Sequence, residues 1–232
     1  THVSVRQIFD TPTVQGLDET LTHTTTPTPS LRPADPRPAR IPLSFAQRRL
    51  WFLHRLEGPS PTYNISSAIH LSGGLDVAAL RAALGDVVER HESLRTVFAE
   101  DAAGPHQVVV DAGVARPELV VVRTSARRVD EVVAEAARYG FDLAAELPVR
   151  VWLFEVAPDE HVLLLLMHHI AGDGWSNPVL ARDLSTAYLA RSTGRAPDWS
   201  PLPVQYADFT LWQREVLGSE EDPDSGISRQ LA

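Results

Sequence analysis

Residues Val162–Met167 read VLLLLM, the longest uninterrupted apolar run in the chain. The run is far short of the ~20 residues that a membrane-spanning helix needs. It does not alternate with polar residues, so both faces of the element must be covered, as for an interior strand. The fold therefore needs a sheet with a layer packed on each side. A second strand, Val149–Val156, precedes it, and Ala157-Pro158-Asp159-Glu160 between them has the composition of a hairpin turn. The apolar strand, His161–His168, runs into His169, then Gly172-Asp173-Gly174, then Ser176, placed to cap a helix reaching about Arg191. Pro178 falls in that helix's first turn, where proline is tolerated.

The other elements fit the same architecture. Ser44 caps a helix to Leu56, with Phe45, Leu50, Leu53 and Leu56 on or near one face. Ile65–Leu71 reads as a strand closed by Ser72-Gly73-Gly74, and Asp76 caps a long helix with Val77, Leu80, Leu84 and Val87 spaced three and four apart. Gln107–Asp111 and Leu119–Thr124 are short β-branched runs, and Asp130–Tyr139 reads as a helix ended by Gly140. Strands interleaved with helices predict an α/β domain: a mixed sheet with flanking helices. Residues 23–41 carry a Pro/Thr-rich composition that favours extended chain and reads as a linker, with residues 1–40 expected to pack loosely or be mobile.

Composition removes several chemistries. All 21 basic residues are arginine, so no lysine is available for a Schiff base or a phosphate loop, and no cysteine is available for disulfides, thiolate nucleophiles or thiolate-bound metal. The formal charge of −9 argues against a nucleic-acid partner. Neither a spanning segment nor a secretory signal is readable, so no membrane partner is expected and the default compartment is the cytoplasm.

The loop His168–Ser176 admits several readings. The histidines could simply hydrogen-bond the backbone at a strand end. A shared metal is opposed by geometry, because successive strand side chains point to opposite faces. Ser176 as a nucleophile lacks the second glycine of a G-x-S-x-G elbow, and Ser176 is better placed as a cap. In the remaining reading one histidine is a base or proton-positioning group in acyl transfer, while Gly174 and the helix N-terminus stabilise a developing oxyanion.

His168-His169-x-x-x-Asp173-Gly174 resembles the HHxxxDG motif of the condensation domains of nonribosomal peptide synthetases, a motif shared with acyltransferases of the chloramphenicol acetyltransferase type. Three further segments are similar to that family's motifs in the expected order: Ser44–Leu53 (SFAQRRLWFL), Arg90–Phe98 (RHESLRTVF) and Tyr206–Gln213 (YADFTLWQ). Val3–Leu17 is similar to the last helices of a peptidyl carrier protein. The resemblance implies three regions: a carrier tail over 1–22, the linker over 23–41, and over 42–232 the N-terminal lobe of a condensation domain. The fold implied is a chloramphenicol acetyltransferase-like lobe, half of a two-lobed domain.

The same resemblance implies the roles of the site residues. His169 positions or deprotonates an acceptor amine attacking a donor thioester. His168 faces inward and holds the loop, and the Gly174 amide faces the reacting carbonyl. Asp173 is expected to be structural and ion-paired with an arginine, Arg90 or Arg95 being the local candidates unless the partner lies in the second lobe. Asp208 and Trp212 are expected to support the structure rather than touch substrate. No cofactor is bound directly; substrates arrive on the phosphopantetheine arms of upstream and downstream peptidyl carrier domains, which are the expected partners together with other domains of the same synthetase. Gly58–Ile65 and His169–Ser176 look like the subtype that takes a donor with a D-configured terminal residue. The second lobe is expected to begin where the chain stops, so residues 1–232 alone are expected not to form amide bonds. A docking module of the same fold and a free-standing acyltransferase remain as alternatives.

Overall fold

The computed structural model describes residues 13, 15, 16 and 29 to 231. The expected carrier-like helices of residues 1–22 lie otherwise outside the described residues. The chain divides into two compact units at Ser30/Leu31, and the larger, C-terminal unit holds both sheets.

The interior strand is present. β7 (Glu160–His168) pairs antiparallel with β2 (Asn64–Ser72) on one side and with β6 (Val149–Ala157) on the other, and β6 pairs parallel with β5 (Leu119–Arg123). The result is a mixed four-stranded sheet in the order β2-β7-β6-β5. Its two faces explain the unbroken apolar run. On one face Leu164, Leu166, Trp152 and Phe154 meet Trp51, Phe98 and Phe141. On the other, Leu163, Val151 and Leu153 meet Leu80 and Leu84 of α2 (Val77–Arg90). Strand alternation therefore sends every second residue of β7 into a different core. The fold is the expected α/β lobe with a mixed sheet and flanking helices.

Helix caps fall where short polar side chains precede apolar periodicity. Ser44 accepts the Gln47 amide at 3.1 Å while the Gln47 side chain accepts the Ser44 amide at 3.0 Å, a reciprocal cap on α1 (Phe45–Glu57). Asp76 accepts the Ala79 amide at 2.9 Å and starts α2. The helix expected over 130–139 is shorter: α3 spans Val129–Ala136. Beyond Ala136 the chain tightens into turns in which the Arg138 and Tyr139 amides donate to the Glu135 and Ala136 carbonyls, and the Asn64 side-chain amide satisfies the carbonyls of Ala137 and Tyr139 at 3.1 and 2.7 Å.

Two further departures concern the second, smaller sheet. Thr96–Asp101 forms a strand, β3, that sequence patterning does not assign; it pairs with β4 (Gly104–Val109), which also pairs with β1 (Ile41–Pro42). Residues 31–40, expected to pack loosely, are held in place over this part of the fold. The Arg37 guanidinium binds Asp208 and Glu92, and the Ala34 amide donates to Asp208 at 3.1 Å. Proline-rich composition excludes helix and sheet but not an anchored extended strap, and charged side chains supply the anchor. Two more helices, α4 (Ser176–Arg191) and α5 (Tyr206–Leu217), follow the large sheet in the chain. Among the described residues no helix is long and apolar enough to cross a membrane.

Candidate functional site

Where β7 ends, its side chains part company. His168 is buried and its Nδ1 accepts the Ile170 amide at 3.1 Å, so its remaining ring proton sits on Nε2. The ring lies against Tyr63 and Phe141, with centroids 6.3 Å from each. Burial, helped by the nearby imidazoles of His54 and His169, pushes the His168 pKa down to about 4, and the side chain is neutral. His169, one residue on, is exposed, and its backbone amide donates to the Tyr63 carbonyl at 2.8 Å. The buried neutral ring and this backbone bond fix the strand end, and together they hold His169 outward.

Asp173 closes the turn that leads into α4, whose N-cap position is Trp175. Its Oδ1 accepts the amides of Trp175 and Ser176 at 3.0 and 3.1 Å, and also the Ser176 hydroxyl at 3.1 Å. Ser176 Oγ in turn accepts the Asp173 amide at 3.0 Å. One expectation is corrected here. Ser176 lies inside the first turn of α4 and is not its cap. Asp173 has no arginine partner among the described residues: Arg90 binds Asp183 at 2.9 Å and Arg95 lies 3.6 Å from Glu92. Three local donors satisfy Asp173 Oδ1, and the expected arginine would then have to come from the second lobe.

His169 and Asp173 open onto a cleft of about 510 Å³. Arg49 of α1, Tyr63, Ser93 and Tyr206 line it with them. A second cavity of about 230 Å³ adjoins it, sharing Ser93, Ala171, Asp173 and Ser176 and floored by Leu94, Met167, Val179 and Leu180. Gly172 lines the larger cleft, where a Cβ would come within 2.8 Å of Met167 Cε and 2.9 Å of Ser176 Oγ, so a larger residue would require those side chains to shift. Gly174 is exposed but is not among the lining residues; Gly172 and Asp173 are. The structure thus brings His169 and Asp173 into the cleft, places His168 directly behind them, and leaves Gly174 at the rim.

Sequence reasoning does not single out Arg49, Tyr63, Ser93 or Tyr206 as site residues. Three of them lie inside segments that resemble family motifs: Arg49 in 44–53, Ser93 in 90–98 and Tyr206 in 206–213. Segments far apart in sequence all contribute residues to the cleft that holds His169. The Tyr206 hydroxyl lies 3.0 Å from the Ser44 hydroxyl, and burial raises its pKa. No group of three or more His, Asp or Glu that could hold a metal ion occurs among the described residues. The arrangement offers an exposed imidazole, one carboxylate fixed by capping, and an apolar chamber beside them, a set suited to proton transfer on a bound acyl group.

The family model described as a condensation domain matches residues 39–224. The chain is 56% identical over 230 residues to the dimodular nonribosomal peptide synthase of Bacillus subtilis, covering 99% of this chain and 10% of that protein. It is 57% identical over 199 residues to the isonitrile lipopeptide synthase of Mycobacterium tuberculosis, covering 84% of this chain and 8% of that protein. The chain therefore spans about a tenth of the length of these relatives. Among solved structures, the X-domain in its complex with OxyB from teicoplanin biosynthesis superposes with a TM-score of 0.81 at 41% identity, over 90% of this chain and 45% of that one. The starter condensation domain of the rhizomide synthetase superposes with a TM-score of 0.68 at 22% identity, over 79% of this chain and 45% of that one, a likeness of fold.

Proposed function

The chain belongs to the condensation-domain family, and on that premise we propose that it is the N-terminal lobe of an amide-forming domain within a nonribosomal peptide synthetase. Residues 42–232 form the lobe, residues 1–22 the tail of a carrier domain, and 23–41 the connection. The observation that carries the reading is the convergence of the four motif segments on one cleft around the exposed His169. In the proposed reaction an acceptor aminoacyl-carrier amine attacks the carbonyl carbon of a donor thioester. A C–N bond forms, the C–S bond breaks, the departing sulfur leaves as a thiol, and His169 takes up or positions the proton the amine must lose. His168 does not titrate near neutral pH, and it acts by holding the loop. Asp173 acts by closing the turn; the amides of Asp173, Trp175 and Ser176 are engaged within it, so the Gly174 amide is the donor that would favour negative charge on the carbonyl oxygen.

Both acyl groups would arrive on phosphopantetheine arms of carrier domains upstream and downstream, and the lobe itself would hold no prosthetic group. The segments Gly58–Ile65 and His169–Ser176 support a donor with a D-configured end. The test is His169→Ala in the full-length synthetase, assayed for dipeptidyl carrier by mass spectrometry with pre-loaded carriers. Condensation should fall by ~10²–10⁴-fold while folding and carrier loading stay unchanged. Full activity would overturn the assignment.

A second reading has its own support. Identity is 41% to an X-domain solved in complex with OxyB and 22% to a starter condensation domain. On that basis the lobe would recruit a partner without doing chemistry. The same experiment separates the two, because a recruitment module loses nothing when His169 is removed.

A further inference from the structure

Arg37, within the strap of residues 31–40, binds two carboxylates, Asp208 and Glu92, that lie beside cleft-lining residues in the sequence. Arg37 Nε and Nη2 donate to the two oxygens of Asp208, at 2.8 and 3.0 Å, and Nη1 donates to Glu92 at 2.7 Å. All three guanidinium nitrogens are therefore used, in a planar fork on one carboxylate and a single bond to another. Asp208 is only 2% exposed and Arg37 is 26% exposed, so the pair is largely out of solvent. Burial alone would raise the Asp208 carboxyl, but the Arg37 fork and the amides of Gln205 and Ala34 hold it below the usual carboxylate range.

Neither carboxylate is isolated from the site. Asp208 accepts the Gln205 amide at 2.8 Å in the capping box of α5, whose first residue is Tyr206. The Glu92 amide donates to the Gln205 side chain at 3.2 Å, and that side chain donates to the Arg90 carbonyl at 3.0 Å, so the α5 cap and the turn after α2 are locked together. Tyr206 lines the cleft, and so does Ser93, the residue after Glu92. We propose that Arg37 is a positioning residue of the cleft: through Asp208 and Glu92 it fixes where Tyr206 and Ser93 stand, making the strap a structural part of the site. This rests on the cleft being the place of amide formation.

A second arginine on the strap supplies the control. Arg40 binds Asp101, which is 51% exposed, and the Gly104 carbonyl at the β3–β4 turn; none of these residues lines the cleft. Loss of either arginine removes one anchor of the strap, but only Arg37 is connected to the wall.

The experiment compares Arg37→Ala, Arg37→Lys and Arg40→Ala in the full-length chain, measuring kcat, KM for the loaded carrier, and hydrogen exchange at the Leu94, Asp208 and Phe209 amides. These amides close the turn after α2 and the first turn of α5. Arg37→Ala should speed their exchange and lower kcat per folded molecule by on the order of ten- to a hundredfold, as about 1 Å of misplacement can do, with KM little changed. Arg37→Lys should fall between wild type and Arg37→Ala, because lysine keeps the charge but cannot form the fork. Arg40→Ala should match wild type in both readouts. Equal losses from the two alanine variants, unchanged exchange in Arg37→Ala, or faster exchange with undiminished kcat would each overturn the proposal. Should the wild-type chain form no amide bond at all, the reading of the cleft falls, while the exchange data still decide whether Arg37 holds its wall.

Discussion

In the turn from Arg90 to Arg95 every charged side chain is engaged inside the protein, whereas in the turn from His168 to Ser176 one reactive side chain is left over. Arg90 binds Asp183 at 2.9 Å and lies over the Trp199 ring at 4.7 Å; His91 Nε2 sits 2.9 Å from Asp183; Glu92 holds Arg37; and Arg95 donates to the Val110 carbonyl at 2.5 Å. In the second turn His168 is used by the Ile170 amide and Asp173 by Ser176 and Trp175, but the His169 ring has no hydrogen-bond partner among the described residues. Both stretches match family motifs equally well. The difference teaches that a motif marks residues a fold needs, and that chemistry belongs to the groups whose polar atoms the fold has not already used.

The comparison breaks first at His169. Replacement by alanine removes no internal hydrogen bond of that ring, so unfolding free energy should stay near wild type while condensation falls by ~10²–10⁴-fold. A variant that unfolds as readily as it loses activity would place His169 with the structural turn instead. Next in size is Asp183→Ala, the corresponding change on the other side. It leaves the Arg90 and His91 side chains, 11% and 14% exposed, without their shared carboxylate. Removing one partner of a buried ion pair costs about 3–5 kcal/mol, so chemical denaturation should show a large loss of stability. A loss under about 1 kcal/mol would mean that the network is no more than a surface pair.

How much of this is legible in the sequence follows from the same physics. The interior strand β7 and the Ser44 and Asp76 caps can be read locally, because apolar runs and caps are short-range features, whereas the inward-facing His168 is implied by the motif resemblance. The motif resemblance also points to His169. β3 escapes such reading because Thr96–Asp101 follows a helix and a 3-10 turn without punctuation, and its partner strand is what makes it a strand. Neither local candidate arginine reaches Asp173, for a related reason. Charge complementarity is easy to see in a sequence, but Arg90 finds Asp183 ninety-three positions away and Arg37 finds Asp208 across 171. Such pairings exist only once the chain has folded, and so do Tyr63, Ser93 and Tyr206 as neighbours of His169.

A third, smaller effect sharpens the contrast between the two adjacent histidines. The His168 pKa is held at about 4, below the usual 6.5, chiefly by burial. The unfolded chain therefore binds more protons at this residue between those values, and stability rises with pH across the window. The contribution is complete above about pH 6.5 and is lost as the pH falls toward about 4, with a limit of ~3 kcal/mol. His54 and His91 are also lowered by burial and act with the same sign. The measurement is unfolding free energy from pH 4 to 6.5 for wild type and for His168→Gln, whose curve should be flatter. An unchanged slope would show that His168 is not the buried neutral group that holds the loop.

The smallest effect expected tests the role of Asp173. As half of a buried ion pair, its loss would cost about 3–5 kcal/mol. As an exposed side chain capping the turn that leads into α4, its loss costs about 1 kcal/mol, or ~2–4 °C in Tm for a domain of this size. Asp173→Ala removes the acceptor for the Trp175 and Ser176 amides, whereas Asp173→Asn keeps an oxygen in the same place and loses only the charge. Asn is a good cap, so its Tm should lie near wild type and well above that of the alanine variant. The order wild type, Asn, Ala, with the larger step at the end, is the outcome that capping requires. A large step at Asn instead would mean that the charge matters more than the hydrogen bonds. In the full-length chain it would locate an arginine on Asp173 beyond residue 231, and this turn would then resemble the fully engaged turn at Arg90–Arg95.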